Sequence, residues 1–268
     1  MPLRAKIAAG PLARTAALPI RASTVARHDA RVLADSVRWL ARSREHTNFT
    51  YDLQPLNVEH LAWFVAEIAD APVGEIRGYL AELECDSSLR GHLEKQAVES
   101  PRRGLIDRHV AYGRRAGWYA LVRALRPDRV VETGTDKGLG ASVLAAAVLK
   151  NEHGRVTTID TNDAAGSLLG GAYATVVDLL IGDSVALLPG LDPVDLFIHD
   201  SLHTAQHEAA ELEAVAMAGD AVALSDNAHV TNVLAGWAER TSRRFLYFQE
   251  RPNRHWYPGA GIGAAWRG

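Results

Sequence analysis

The 268-residue chain has one cysteine, Cys85. It has no apolar run near the roughly 20 residues needed to cross a bilayer. A single thiol makes no internal disulfide and no cysteine-rich zinc site, and the reducing cytoplasm is the expected compartment. Charge of one sign is also missing: 29 Lys and Arg face 32 Asp and Glu, a net −3. That balance excludes a broad basic field for nucleic acid and a polybasic membrane patch, so a small-molecule partner is expected. Assembly into homo-oligomers is left open by the sequence. Carboxylates are absent before Asp29, and Pro2, Pro11, Pro19 and Gly10 interrupt that Arg- and Ala-rich stretch. Its composition suits a frayed tail over 1–22 or a transit segment, and it has no apolar centre of a secretory signal. With 47% hydrophobic and 23% charged residues the chain can bury a core, and disorder throughout is excluded. Eleven histidines are the unusual count.

Over 23–126 only helical periodicity is present, as in Val25, Val32, Leu33, Val37 and Leu40, or Leu61, Phe64, Val65 and Ile68. Asn57 and Asp86 are candidate N-caps. After Pro127 short apolar runs alternate with helical stretches. Strands are expected over 129–133, 155–160, 175–181, 195–199, 221–225, 244–248 and 261–265, and helices over 138–149, 204–217 and 230–239. This alternation predicts an α/β fold over 127–268, a doubly wound, seven-stranded, mostly parallel sheet with a helical N-terminal extension. Only a loop joins the last two strands, so the final one is expected to run antiparallel.

The run from Val130 through Glu132, Gly134, Thr135 and Gly138 to Gly140 passes from a strand through a glycine-rich turn into a helix carrying Ser142. Such a turn lets a ligand approach backbone and helix N-terminal donors. A dinucleotide fingerprint needs G-x-G-x-x-G; here Thr135 and Asp136 follow Gly134, and Asp136 would set negative charge beside a phosphate. The pattern E-x-G-x-x-x-G resembles the first motif of class I S-adenosylmethionine-dependent methyltransferases, whose cofactor is cationic. The resemblance implies S-adenosylmethionine as cofactor. It gives Asp160 the ribose hydroxyls, Asp183 with Ser184 the adenine side, and Ser142 the methionine carboxylate in place of a serine at position 140. A strand-end aspartate is equally often a helix cap.

The fourth and fifth strands end in His199-Asp200-Ser201-Leu202-His203 and Ser225-Asp226-Asn227. Neighbouring strands lie about 4.8 Å apart, so Asp200, Asp226 and Asn227 can converge on one hard cation such as Mg²⁺. This arrangement resembles the cation-dependent O-methyltransferases of catechol and caffeoyl-coenzyme A type, which implies that these three are metal ligands. Asp200-x-x-His203 also resembles the metal-dependent sugar O-methyltransferases of macrolide biosynthesis, which implies His203 as base. Alternatively Asp200 caps a helix, Asp226–Asn227 form a plain turn, and His203 is supporting structure.

His203 and His207 have the spacing of H-E-x-x-H, but Thr204 replaces the glutamate that hydrolytic zinc chemistry needs. His199 points away from Asp200 by strand alternation and reads as structural, while His229 lines a pocket or starts a helix. Residues 46–52 read as a lid or an interhelical loop. Arg102, Arg103, Arg114 and Arg115 either meet a carboxylate or sit on solvated faces, and the 255–259 loop either shapes an acceptor pocket or simply packs. Together these features point to an Mg²⁺-assisted O-methyltransferase acting on a small-molecule hydroxyl in secondary metabolism. The alternatives are a metal-independent N- or O-methyltransferase and a non-catalytic binding module.

Overall fold

The computed structural model describes residues 13–268; residues 1–12 of the expected tail lie outside it. The described chain divides into two compact units, the segment up to Ser43 with Arg254–Tyr257, and 44–253 with 258–268. In the first, helix α1 (Leu18–Arg42) begins inside the span read as a tail, with Pro19 tolerated in its first turn. Val25, Leu33, Val37 and Leu40, expected to cover a core, are more than half exposed. Within this unit the rings of His255 and Trp256 pack on Trp39 with centroids 6.2 and 5.4 Å away.

The second unit holds helices α2 (Pro55–Ala69), α3 (Val73–Glu84), α4 (Ser87–Glu99) and α5 (Arg115–Leu125), then the sheet. The helical residues from 55 onward thus share a unit with the sheet. Leu61, Phe64, Val65 and Ile68 are buried as their spacing predicts. Asp86 caps α4 by accepting from the Leu89 N–H at 2.9 Å. Asn57 is not a cap, because Pro55 already opens α2. Its amide instead grips the edge strand's exit, donating to Gln249 O at 3.0 Å and accepting from Arg251 N at 2.7 Å.

The strands are β1 (Arg129–Thr133), β2 (Arg155–Asp160), β3 (Val177–Ile181), β4 (Val194–His199), β5 (Met217–Ser225), β6 (Arg244–Gln249) and β7 (Gly261–Trp266). Their order is β3-β2-β1-β4-β5-β7-β6, all parallel except β7, which runs antiparallel to both neighbours. Helices α6 (Leu139–Asn151), α7 (Ala205–Ala214) and α8 (Val233–Arg240) complete the layers. Alanine and valine on nearly every face of α6 let it be buried all round, against α5 and β2. Helix α7 ends at Ala214 rather than 217, because Met217 is taken by β5 to pair with Val194 ahead of a register shift. The chain reverses direction across the sheet between β1 and β4, and in open α/β sheets ligands bind at that switch point, beyond the strands' carboxyl ends.

Asn57→Ala strips two hydrogen bonds from the β6 exit. It is expected to lower stability by about 1–3 kcal/mol in urea unfolding, with little change in the slope.

Candidate functional site

The floor of the site is the turn after β1. Gly134 (φ +93°) and Gly138 (φ +88°) take left-handed backbone, and a Cβ on Gly134 would lie 2.0 Å from the Asp200 carbonyl oxygen. Only glycine allows that approach. Hydrogen bonds hold the turn: Gly134 N to Ile159 O at 2.8 Å, Gly138 N to Thr135 O at 2.7 Å, and Asp200 N to Thr133 O at 2.9 Å. A Cβ on Gly140 would overlap Glu132 Oε1, so the bare backbone at Gly140 lets this buried carboxylate sit under the start of α6. Glu132 accepts from Thr158 at 2.7 Å, and Thr158 meets the Thr135 hydroxyl at 2.6 Å. Burial pushes the Glu132 carboxyl up to about 7, opposed by the Thr158 bond.

Asp160 accepts the Asp136 N–H at 2.7 Å and the Asn162 N–H at 2.8 Å while remaining at the cleft that Asp183 also lines. Asp183 caps the turn Ser184–Leu187 through Val185 N at 3.0 Å. Two expected cofactor contacts are spent elsewhere. The buried Ser142 hydroxyl donates back to Gly138 O at 2.7 Å, and the buried Ser184 hydroxyl donates to Glu211.

The segment read as a lid does reach the turn: Asn48 donates to Asp136 at 3.0 Å, as does Arg102 at 3.3 Å. Beside them Lys137 Nζ lies 3.5 Å from Glu45 Oε1. Glu45 is gripped by the Thr50 N–H at 2.9 Å and hydroxyl at 3.0 Å. Burial raises the Glu45 carboxyl against the pull of Lys137.

At the ends of β4 and β5, one ligand atom each from Asp200, His203 and Asp226 lies within 4.8 Å of the others. Asp200 does not cap α7, since Thr204 does, accepting from His207 N. Asn227 (φ +55°) turns the chain, accepting from Val230 N at 2.8 Å and donating to Asp226 at 3.2 Å. Two carboxylates and an imidazole are donors that suit a divalent cation. A cation of the chain's own already faces this cluster. Arg114, read as either meeting a carboxylate or sitting on a solvated face, directs its guanidinium at both oxygens of the fully buried Asp226 and lies 3.8 Å from both Asp200 and Glu250. Arg115 is 3.5 Å from Asp200.

Glu250 accepts from Arg114 N at 3.1 Å, Tyr51 Oη at 2.7 Å and Ala260 N at 3.1 Å. Glu250 and Tyr51 were missed, because a charged residue past an edge strand normally faces water. Burial pushes Asp226 up to about 7, with Arg114 pulling it down and Asp200 pushing it further. Burial opposes the charge on Arg114, but Asp226, Glu250 and Asp200 outweigh it and raise its pKa. Burial lowers the His203 imidazole, which lies 3.7 Å from Asp200.

On the far side of β4, His199 is structural, as alternation predicts: its Nδ1 meets Glu211 at 2.6 Å. Glu211 also accepts from Thr133 at 2.8 Å and Ser201 at 2.7 Å, and pairs with His207 at 3.0 Å. His207 is thus engaged by Glu211, although it lines the same cleft as His203. Burial would raise Glu211, but its bonds to His199, Ser184 and Ser201 hold it down to about 2.

Residues 131–239 match the model of a methyltransferase domain family. No curated protein matches the chain. Among solved structures, the O-methyltransferase TomG from Streptomyces achromogenes, involved in tomaymycin synthesis and bound to SAM, is 22% identical over 66% of this chain and 90% of its own, with a TM-score of 0.52. The cofactor-bound Rv0187 from MTB is 21% identical over 68% and 89%, at 0.54. The SAH-bound methyltransferase PaMTH1 of Podospora anserina is 16% identical over 68% and 88%, at 0.50. At such identities the likeness is one of fold. The likeness to the methyltransferase domain family is carried by residues 131–239, from β1 to α8.

A carboxylate held at about 2 contributes its full stability above the ordinary value of 4.5 and loses it as pH falls from there toward 2. Chemical unfolding at successive pH values between 5 and 3 is expected to show stability falling on acidification, with at most ~1.4 kcal/mol per pH unit from this group. Glu211→Gln is expected to be less stable at pH 7 and to have a flatter acid limb.

Proposed function

We propose that this methyltransferase domain moves the S-methyl group of S-adenosylmethionine to a hydroxyl oxygen of a small molecule, in cytoplasmic secondary metabolism. A divalent cation such as Mg²⁺ is held by Asp200, Asp226 and Asn227 in this reading. The observation that carries it is the gathering of Asp200, His203 and Asp226 within 4.8 Å beside the Gly134 turn, at the switch point of the sheet. When bound there, the cation lowers the pKa of the acceptor hydroxyl. His203 takes the hydroxyl proton on a ring nitrogen, since burial lowers its pKa and keeps the ring uncharged and free to accept. The cofactor would supply an electrophilic methyl carbon for in-line attack by that oxygen, the O–C bond forming as the S–C bond breaks and the sulfonium leaving as the neutral thioether. Gly134, Thr135 and Gly138 present backbone to the cofactor, and Asp160 and Asp183 line its nucleoside end. Glu132 lies at its amino-acid end. Positioning supplies most of the rate, since the reactive group belongs to the cofactor.

A second reading rests on Arg114. Its guanidinium, set against both oxygens of Asp226, would supply the positive charge itself and leave the transfer metal-independent.

Methyl-labelled S-adenosylmethionine incubated with a panel of catechols and sugars is expected to yield ether-linked label. Turnover should fall at least about tenfold after dialysis against a chelator and return with Mg²⁺. Undiminished turnover after chelation, together with loss of activity in Arg114→Met, would favour the arginine reading. His203→Ala is expected to lower kcat by about 10²–10⁴-fold; full activity at pH 7 would remove it as the base.

A further inference from the structure

The side chain of Lys137 is 6% exposed, yet its Nζ makes no hydrogen bond among the described residues. An ammonium carries three donors, and leaving them unpaired away from water is costly. Its one ion pair, with Glu45, is 3.5 Å long, and both Glu45 oxygens are engaged by Thr50. The ammonium is therefore held in place but not saturated. It lines the same cleft as Glu45, Glu132, Gly134, Gly140 and Arg115. That end of the cleft thus presents a buried cation beside two buried carboxylates, the complement of an α-amino-acid head group with its own carboxylate and ammonium. Ser142 faces backbone carbonyls and offers nothing there.

We propose that Lys137 binds the α-carboxylate of the cofactor's methionine portion, and that the Glu45–Thr50 strap is a positioning device that keeps the ammonium aimed into the cleft. This inference rests on the S-adenosylmethionine reading above. It assigns the recognition of the zwitterion, as distinct from the nucleoside, to a lysine inside the glycine turn.

The test compares two ligands that share the nucleoside and differ at this end, S-adenosylhomocysteine and 5′-methylthioadenosine, by titration calorimetry on the full chain. Wild type is expected to bind S-adenosylhomocysteine more tightly. Lys137→Met should weaken it about ten- to a hundred-fold, the range of a charge-assisted hydrogen bond, and leave methylthioadenosine within about twofold. Because methylthioadenosine also reports folding, equal losses for both ligands would mark the Lys137–Glu45 pair as merely structural and overturn the proposal. Unchanged S-adenosylhomocysteine affinity would overturn it too. In Glu45→Gln, where the ammonium keeps its charge but loses the partner that aims it, the preference for S-adenosylhomocysteine should fall by less than in Lys137→Met; a fall larger than that of Lys137→Met would move recognition to Glu45 and overturn the assignment. Wild type binding neither ligand would instead remove the cofactor reading on which the proposal stands.

Discussion

Everything functional in this chain hangs on one backbone contact, the approach of Gly134 to the carbonyl of Asp200 at the carboxyl ends of two parallel neighbours, β1 and β4. The bond from Asp200 N to Thr133 O sets the distance, and the missing Cβ permits it. From that seam the turn runs one way to Lys137 and α6, and the other strand runs on to Asp200 and His203. The glycine turn and the acid cluster are therefore parts of one rigid junction. A side chain at Gly134 would disturb both together.

Charge is the second organising constraint. Asp200, Asp226 and Glu250 are drawn to one place out of water, and such a set persists only when cations or donors answer it. Arg114 answers all three, Arg115 adds to Asp200, and Tyr51 and Ala260 complete Glu250. On the other face of β4, Glu211 collects two histidines, two serines and a threonine. The strand is thus braced by polar networks on both sides near its end, which fixes where Asp200 points.

Much of this was legible in the residues. Strands β1 and β2 fall where their apolar runs end, the reversal of β7 followed from a connection too short for a crossover, and the acids after β4 and β5 were placed together by strand order alone. The glycines announced the turn, since few other reasons exist for them after a buried strand. What was not legible has a common cause. Ser142, Ser184 and Asn57 are polar residues whose partners are backbone groups or side chains far away in sequence, and no local pattern reports which way a hydroxyl or amide turns. Arg114 was noticed but left between a ligand carboxylate and a solvated face, because its partners in the chain lie 112 and 136 residues further on. The apolar period of α1 marked a helix within Leu18–Arg42, which shows that periodicity fixes an element.

The Glu250 carboxylate has a temporal meaning as well. It joins the loop before α2, the entry of α5 and the β6–β7 connection, three stretches made at very different moments as the chain is synthesised. Until the final hairpin folds back, the Arg114 backbone N–H and the Tyr51 hydroxyl lack their Glu250 acceptor, whereas the strands β1 to β5 can already pair. The polar network behind Arg114 and Asp226 therefore closes only when the C-terminal hairpin is in place, because these contacts have high sequence separation.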